Sequence, residues 1–157
     1  MKVSLLVIGK TEESYIREGL SEYAARVKRY TPFEIREIPA LRDAKSMPQS
    51  EQKKREAVLI MKQISDQDIV VLLDEHGPEM RSVKFAAFLN SRFSSGGKSL
   101  VFVVGGPFGF GDALRQRADH LLSLSKMTFS HQMVRLIFAE QLYRALTILK
   151  NESYHHE

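Results

Sequence analysis

Two short runs, Ile69–Leu73 and Ser99–Val104, are apolar almost from end to end, with no polar residue at alternate positions. A strand with one face in water alternates apolar and polar side chains. An unbroken run needs cover on both faces, as in the central strands of a parallel sheet. Parallel neighbours require crossover connections, and the intervening segments carry helical periodicity. Lys2–Ile8 reads as a first strand. Residues 13–29 read as a helix with Ile16, Leu20, Tyr23, Ala24 and Val27 on one face, broken by Pro32. Phe33–Ile38 reads as a second strand stopped by Pro39, and 41–50 as a loop. Ser50 is placed to cap a helix over 51–64 that turns Ala57, Val58, Ile60, Met61 and Ile64 inward. Residues 81–93 read as a helix with Val83, Ala86, Phe88, Leu89 and Phe93 inward, followed by a Ser-Ser-Gly-Gly turn. A short helix over 112–119 and a short strand over 120–124 follow. The last helix spans 132–149, with Met133, Val134, Ile137, Phe138, Gln141, Leu142, Ala145 and Leu149 near one stripe. The expected architecture is a single α/β domain over residues 1–157, with a largely parallel sheet and helices on both faces.

Composition narrows the function more by exclusion. The 157 residues, 43% apolar and 27% charged, suit one soluble domain with a real core. The absence of cysteine excludes disulfides, thiolate zinc sites and thiol catalysis, and fits a reducing, cytoplasmic setting. The apolar start is too short for a leader and an acidic segment follows it, so it reads as a buried strand. No segment has the length of a membrane span. The histidines show no i,i+4 pairing with an acid between them, and no metal is expected. The net charge of +4 is slight and divides over both halves of the chain. It permits a polyanionic partner through a local patch. Lys53-Lys54-Arg55 is one candidate, and it reads equally as the solvated face of a helix.

In open α/β sheets, ligands bind beyond the carboxyl ends of the strands. Three loops occupy such positions: 74–77, 105–111 and 125–130. Gly105-Gly106-Pro107-Phe108-Gly109-Phe110-Gly111 lets a ligand approach the main chain closely. It is not a dinucleotide fingerprint. Gly109-Phe110-Gly111 supplies G-x-G, but position 114 is Leu, and no P-loop spacing occurs anywhere. By itself the loop fits a structural turn as well as a binding site.

The glycine loop, Leu72-Leu73-Asp74-Glu75-His76-Gly77, the stretch Leu124 to Arg135 before a long helix, and the ending Tyr154-His155-His156-Glu157 together resemble a known family. It is the RlmH family of SPOUT-class (α/β-knot) methyltransferases, which methylate a pseudouridine of large-subunit ribosomal RNA. The resemblance covers the whole chain. It implies a C-terminal trefoil knot and S-adenosylmethionine as cofactor, held mainly by main-chain groups. Leu73, Gly105, Leu124, Ser125, Lys126, Met127, Thr128 and Phe129 match the family's cofactor positions. It also implies methylation at N3 of a pseudouridine in 23S ribosomal RNA, a ribosomal substrate, and a homodimer with the site between two subunits. Arg144, Tyr154 and His155 match the residues used near the substrate. His156 stands where many relatives carry a basic residue.

Residue chemistry is compatible with those roles. Arginine forks onto phosphates or base edges, tyrosine offers a stacking face, and histidine titrates near neutral pH. An arginine late in a helix also complements the dipole, and chain ends usually fray. His131 either accepts a proton or fixes its loop. Asp74 and Glu75 either act in the site or turn the chain. The long stripe on 133–149, with Phe138 and Tyr143, serves as core or as a two-fold contact. The competing readings are a non-catalytic ribosome-binding factor and a small-molecule enzyme with a nucleotide cofactor. The missing nucleotide motifs oppose the latter.

Overall fold

The computed structural model describes residues 1–157. The elements are β1 (Lys2–Ile8), α1 (Ser14–Val27), β2 (Phe33–Ile38), α2 (Gln49–Met61), β3 (Ile69–Leu73), α3 (Ser82–Phe93), β4 (Ser99–Val104), α4 (Asp112–Arg117), β5 (His120–Leu122) and α5 (Met133–Leu149). The strands form one five-stranded sheet in the order β2-β1-β4-β3-β5, and every pairing is parallel. The two unalternating runs, β3 and β4, are neighbours at its centre, in register from Ile69 opposite Leu100 to Leu73 opposite Val104.

Successive side chains of a strand face opposite ways, and the core divides accordingly. Val3, Leu5 and Val7 of β1 and Leu100, Phe102 and Val104 of β4 face α1, α3 and α5. Leu6, Val70, Leu72, Val101 and Val103 face α2 and α4, with Ala57, Ile60, Phe110 and Leu114. Phe102 and Phe138 meet at 4.7 Å between ring centroids, in the middle of the α5 contact. Phe138, Leu142 and Ala145 are fully buried, so this part of the α5 stripe is core, while Val134, Ile137, Tyr143 and Leu149 stay partly exposed.

The helices differ from expectation at their ends. α2 begins at Gln49: Pro48, extended at ψ 148, takes the N-cap position and its carbonyl accepts from the Gln52 amide at 3.0 Å. Ser50 therefore lies inside the first turn and caps nothing. The inward face of α2 is Gln52, Glu56, Ala57 and Ile60, and Val58 is 55% exposed. In α3 the buried residues are Phe85, Ala86 and Leu89, and Val83 faces out.

After β5 the chain runs along the carboxyl edge of the sheet, from β3 past β4 to β1. Gln132 fastens its far end, accepting from the Glu12 amide at 2.8 Å and donating to the Lys10 carbonyl at 3.0 Å. Arg135, 1% exposed, then enters the core from α5. Its guanidinium donates to the carbonyls of Ile8 (2.8 Å), Gly9 (3.0 Å) and His131 (3.0 Å) and to Thr11 Oγ1 (2.9 Å). Four of its five N–H donors are used in this way, which offsets the cost of burying the charge. Arg135 thereby ties the exit of β1 to the start of α5.

Candidate functional site

The loops beyond β3, β4 and β5 enclose a cleft of about 580 Å³. Its walls are 73–76, 104–110, Arg115, and 124–134 apart from Lys126 and a few residues near the start of α5. The turn after β4 needs its glycines. A Cβ on Gly105 would lie 3.1 Å from Phe110 Cε1 and 3.2 Å from the Gly109 carbonyl oxygen. A Cβ on Gly106 would run into the Glu56 carboxyl group. Gly109 has φ +84, in the left-handed region, and its amide closes the turn onto the Gly106 carbonyl at 3.1 Å.

The opposite wall is organised by its own hydroxyl groups. Ser123 Oγ donates to the Ser125 carbonyl (2.8 Å), Ser125 Oγ accepts from the Met127 amide (3.0 Å), and Ser130 Oγ accepts from the Met133 amide (3.1 Å). Thr128 Oγ1 donates to Glu75 Oε2 at 2.8 Å, joining this wall to the loop after β3. The cleft contains Leu73, Gly105, Leu124, Ser125, Met127, Thr128 and Phe129 together. Lys126 is the exception. Its side chain is 87% exposed and points to Glu79 at 3.9 Å.

Asp74 and Glu75 both line the cleft. Asp74 is nearly buried, takes the His76 amide at 3.0 Å, and lies 2.7 Å from Arg115 Nη1. That ion pair is close, but its angle leaves Asp74 Oδ2 without a true hydrogen bond. His131 lines the cleft with an exposed ring, and its carbonyl is what holds Arg135. Glu56 sits beneath the glycine loop, 4% exposed, with Gln52 Nε2 donating to one oxygen at 3.3 Å and the other unpartnered. Burial pushes its carboxyl group above the usual range, and Gln52 opposes this weakly.

Arg144, Tyr154 and His155 also come together, but outside this cleft, where α1 and α5 pack. Glu140 organises them. Its Oε1 accepts from Arg144 Nη2 (2.6 Å) and Nε (3.1 Å) and from the Tyr154 hydroxyl (3.0 Å). The Arg144 guanidinium lies 4.8 Å from the Tyr154 ring centre, and Tyr143 packs on Tyr154 at 4.7 Å. Burial, then hydrogen bonds with Tyr23 and Glu140, hold the Tyr154 hydroxyl protonated far above the usual tyrosine range. At neutral pH the Tyr154 hydroxyl is therefore a donor, and its proton is directed to Glu140. Arg144 Nη1 lies 3.1 Å from His155 Nδ1. Arginine has no acceptor, so Nδ1 accepts, and a neutral ring carries its proton on Nε2. That nitrogen is buried and has no hydrogen-bond partner within the chain.

Glu140, Arg135, Glu56 and Arg115 did not emerge from the sequence. Only Glu140 had a signal, its i,i+4 spacing from Arg144. No three His, Cys, Asp or Glu side chains are grouped to hold a metal ion. No helix is long and apolar enough to cross a membrane.

An all-parallel sheet with one cleft of loops at its carboxyl edge defines a class that the comparisons identify. A family described as predicted SPOUT methyltransferase matches residues 1–155, and the chain belongs to it. Within that family it falls among the proteins named Ribosomal RNA large subunit methyltransferase H. The relative from Parabacteroides distasonis is 50% identical and the one from Bacteroides thetaiotaomicron 48%, each over the full length of both chains. Among solved structures, a probable methyltransferase from Bordetella pertussis superposes with TM-score 0.55 at 13% identity, over 92% of this chain and 93% of that one. A probable methylase family protein from Haemophilus influenzae gives 0.52 at 14%, over 95% and 66%. At that identity the two show the fold alone.

Proposed function

We propose that this chain is an S-adenosylmethionine-dependent methyltransferase acting on N3 of a pseudouridine in 23S ribosomal RNA, as a homodimer in the cytoplasm. The observation that carries this reading is the cleft itself, in a chain half identical end to end to ribosomal RNA methyltransferases. Its volume of about 580 Å³ falls in the range of roughly 300–1,000 Å³ usual for small-ligand sites. Leu73, Leu124, Phe129 and Val134 supply apolar walls for an adenine, and Asp74 and Glu75 supply acceptors for charged ends. Gly105 would admit the cofactor to the main chain, with 124–129 on the other side. In this reading residues 123–132, most of which line the cleft opposite the loops after β3 and β4, belong to a trefoil knot.

The bound cofactor supplies a methyl group already activated on a sulfonium. What remains for the protein is to hold the base in line and to stabilise the anion left when N3 gives its proton to solvent. The Arg144–Tyr154–His155 cluster has the donors for this but does not line its own cleft. A two-fold partner would bring the cluster of one protomer to the cleft of the other. His155 Nε2–H and the arginine donors would then stabilise negative charge developing on the base carbonyls beside N3. Tyr154 would hold the ring by stacking. His155 Nε2, buried without a hydrogen bond and with Glu157 Oε1 no nearer than 3.9 Å, supports a cluster completed from outside the chain.

The test is calorimetry with S-adenosylmethionine, then transfer of a radiolabelled methyl group to ribosomes and free large subunits from cells lacking the activity. Label in large-subunit RNA is expected. Absence of both cofactor binding and label would leave the ribosome-binding reading. A clean monomer mass in solution would remove the composite site.

A further inference from the structure

The face of the sheet opposite the tyrosines carries a second concavity, between α2 and α4, of about 770 Å³. Its floor is apolar, with Ala57, Met61 and the exposed Val58. Its rim carries Lys53, Lys54 and Lys62, none of them ion-paired, whereas the neighbouring Arg55 is tied to Glu51 at 2.7 Å. Asp112, at the start of α4, is the one acid lining it. Three free ammonium groups in one groove are a concentrated field for a chain whose net charge is only +4. The groove adjoins the cleft: the buried Phe110 forms part of both walls, and the Lys53 carbonyl lies against Gly111 on the groove side. From Lys53 to Lys62 the helix advances about 13 Å, so the lysines mark a track leading away from the cleft.

We infer that this groove is an RNA-docking channel, in which Lys53, Lys54 and Lys62 contact phosphates of the substrate RNA flanking the base held at the cleft. The inference rests on the reading of the cleft as the site of ribosomal RNA methylation. Two observations select RNA as the occupant: the groove sets three unpaired lysines against a single acid, Asp112, and it ends at a residue of the cleft wall. Ammonium groups are strongly hydrated point charges that suit phosphates without reading sequence. The channel therefore supplies affinity and orientation, while the cleft and the tail cluster select the base.

The test variant is Lys53→Gln/Lys54→Gln/Lys62→Gln. The control, Lys28→Gln/Arg29→Gln/Lys98→Gln, removes three exposed charges at the opposite ends of the strands. Both are checked for folding by thermal melting. Lys54→Gln alone, at an exposed position, serves if the triple variant melts early. The expected result is a rise of at least tenfold in KM for ribosomes in the test variant only, with S-adenosylmethionine affinity unchanged. The salt slope for binding deproteinised large-subunit RNA should fall by about 2, given roughly 0.7–0.9 per phosphate contact. An unchanged KM and slope overturn the channel. A raised KM on ribosomes with unaltered binding to deproteinised RNA also overturns it, and assigns the groove to an acidic protein partner. If the unaltered protein binds no S-adenosylmethionine, the methyltransferase reading fails, whereas RNA binding still judges the groove.

Discussion

The cleft and the tail cluster are built from opposite materials. The cleft is made of main chain and apolar wall, shaped by glycines and by serine and threonine hydroxyls that bond their own backbone. The cluster is made of side chains: Glu140, Arg144, Tyr154 and His155 joined by charge-assisted bonds and stacked rings. A site of main chain tolerates exchange of its side chains and fails when bulk is added. A site of side chains behaves the other way round.

The sharpest way to break this contrast is to remove the cluster's working groups. Arg144→Ala, or deletion of residues 154–157, should lower methyl transfer on the order of 10²–10³-fold, the range for losing a donor that stabilises developing negative charge, with S-adenosylmethionine affinity unchanged by calorimetry. Loss of cofactor binding in either variant would mean that the two regions are not separable within a protomer. Conversely, Gly105→Val should cost cofactor affinity roughly 10- to 100-fold, the effect of 1–3 kcal/mol of overpacking, because its first carbon already crowds Phe110. Retained affinity would move the ligand away from the glycine loop.

Glu140→Gln sharpens the side-chain half of the comparison. Its carboxylate holds Arg144 through two bonds, and weakening bonds to a charged group should lower kcat about 5- to 50-fold. Rates that match the unaltered enzyme would show that Arg144 and Tyr154 hold their places without it.

Glu56 tests the support beneath the main-chain half. Burial raises its carboxyl group, so the folded state keeps this proton to higher pH than the unfolded chain. Its contribution to stability is greatest below the ordinary carboxylate range and is lost as pH rises through the raised value. Glu56→Gln should therefore flatten the pH dependence of melting and raise the midpoint at pH 8, by about 2–4 °C for each kcal/mol recovered. An equal shift at pH 4 and pH 8 would contradict a buried, raised carboxyl group.

The smallest effect is expected at Lys126. Its side chain leaves the cleft, so Lys126→Ala should change cofactor affinity less than about twofold, as for surface substitutions generally. A tenfold loss would show that the lysine folds back over the ligand.

Much of the fold was legible because its signals are local. Unalternating runs placed β3 and β4 at the centre, and both matched their expected limits. Helix faces were less legible. In α2 the sequence offered Val58 as core, while the inward stripe includes Gln52 and Glu56, since what lies against that stripe is the underside of a glycine loop. The residues expected to hold the cofactor came only from resemblance, because a site made of main chain leaves little trace in residue type.

The chain by itself determined the order of strands and helices, the covered sheet, and the three loops at one edge, for these follow from apolar periodicity and turn residues a few positions apart. Tertiary structure alone decided that Arg135 would bind the end of β1, that Glu140 would gather Arg144 and Tyr154, and that the tail would lie apart from the cleft. Those contacts join residues over 100 positions apart, or depend on which helix face a neighbour covers. No local pattern encodes such a meeting; it exists only once the sheet has brought distant segments into contact.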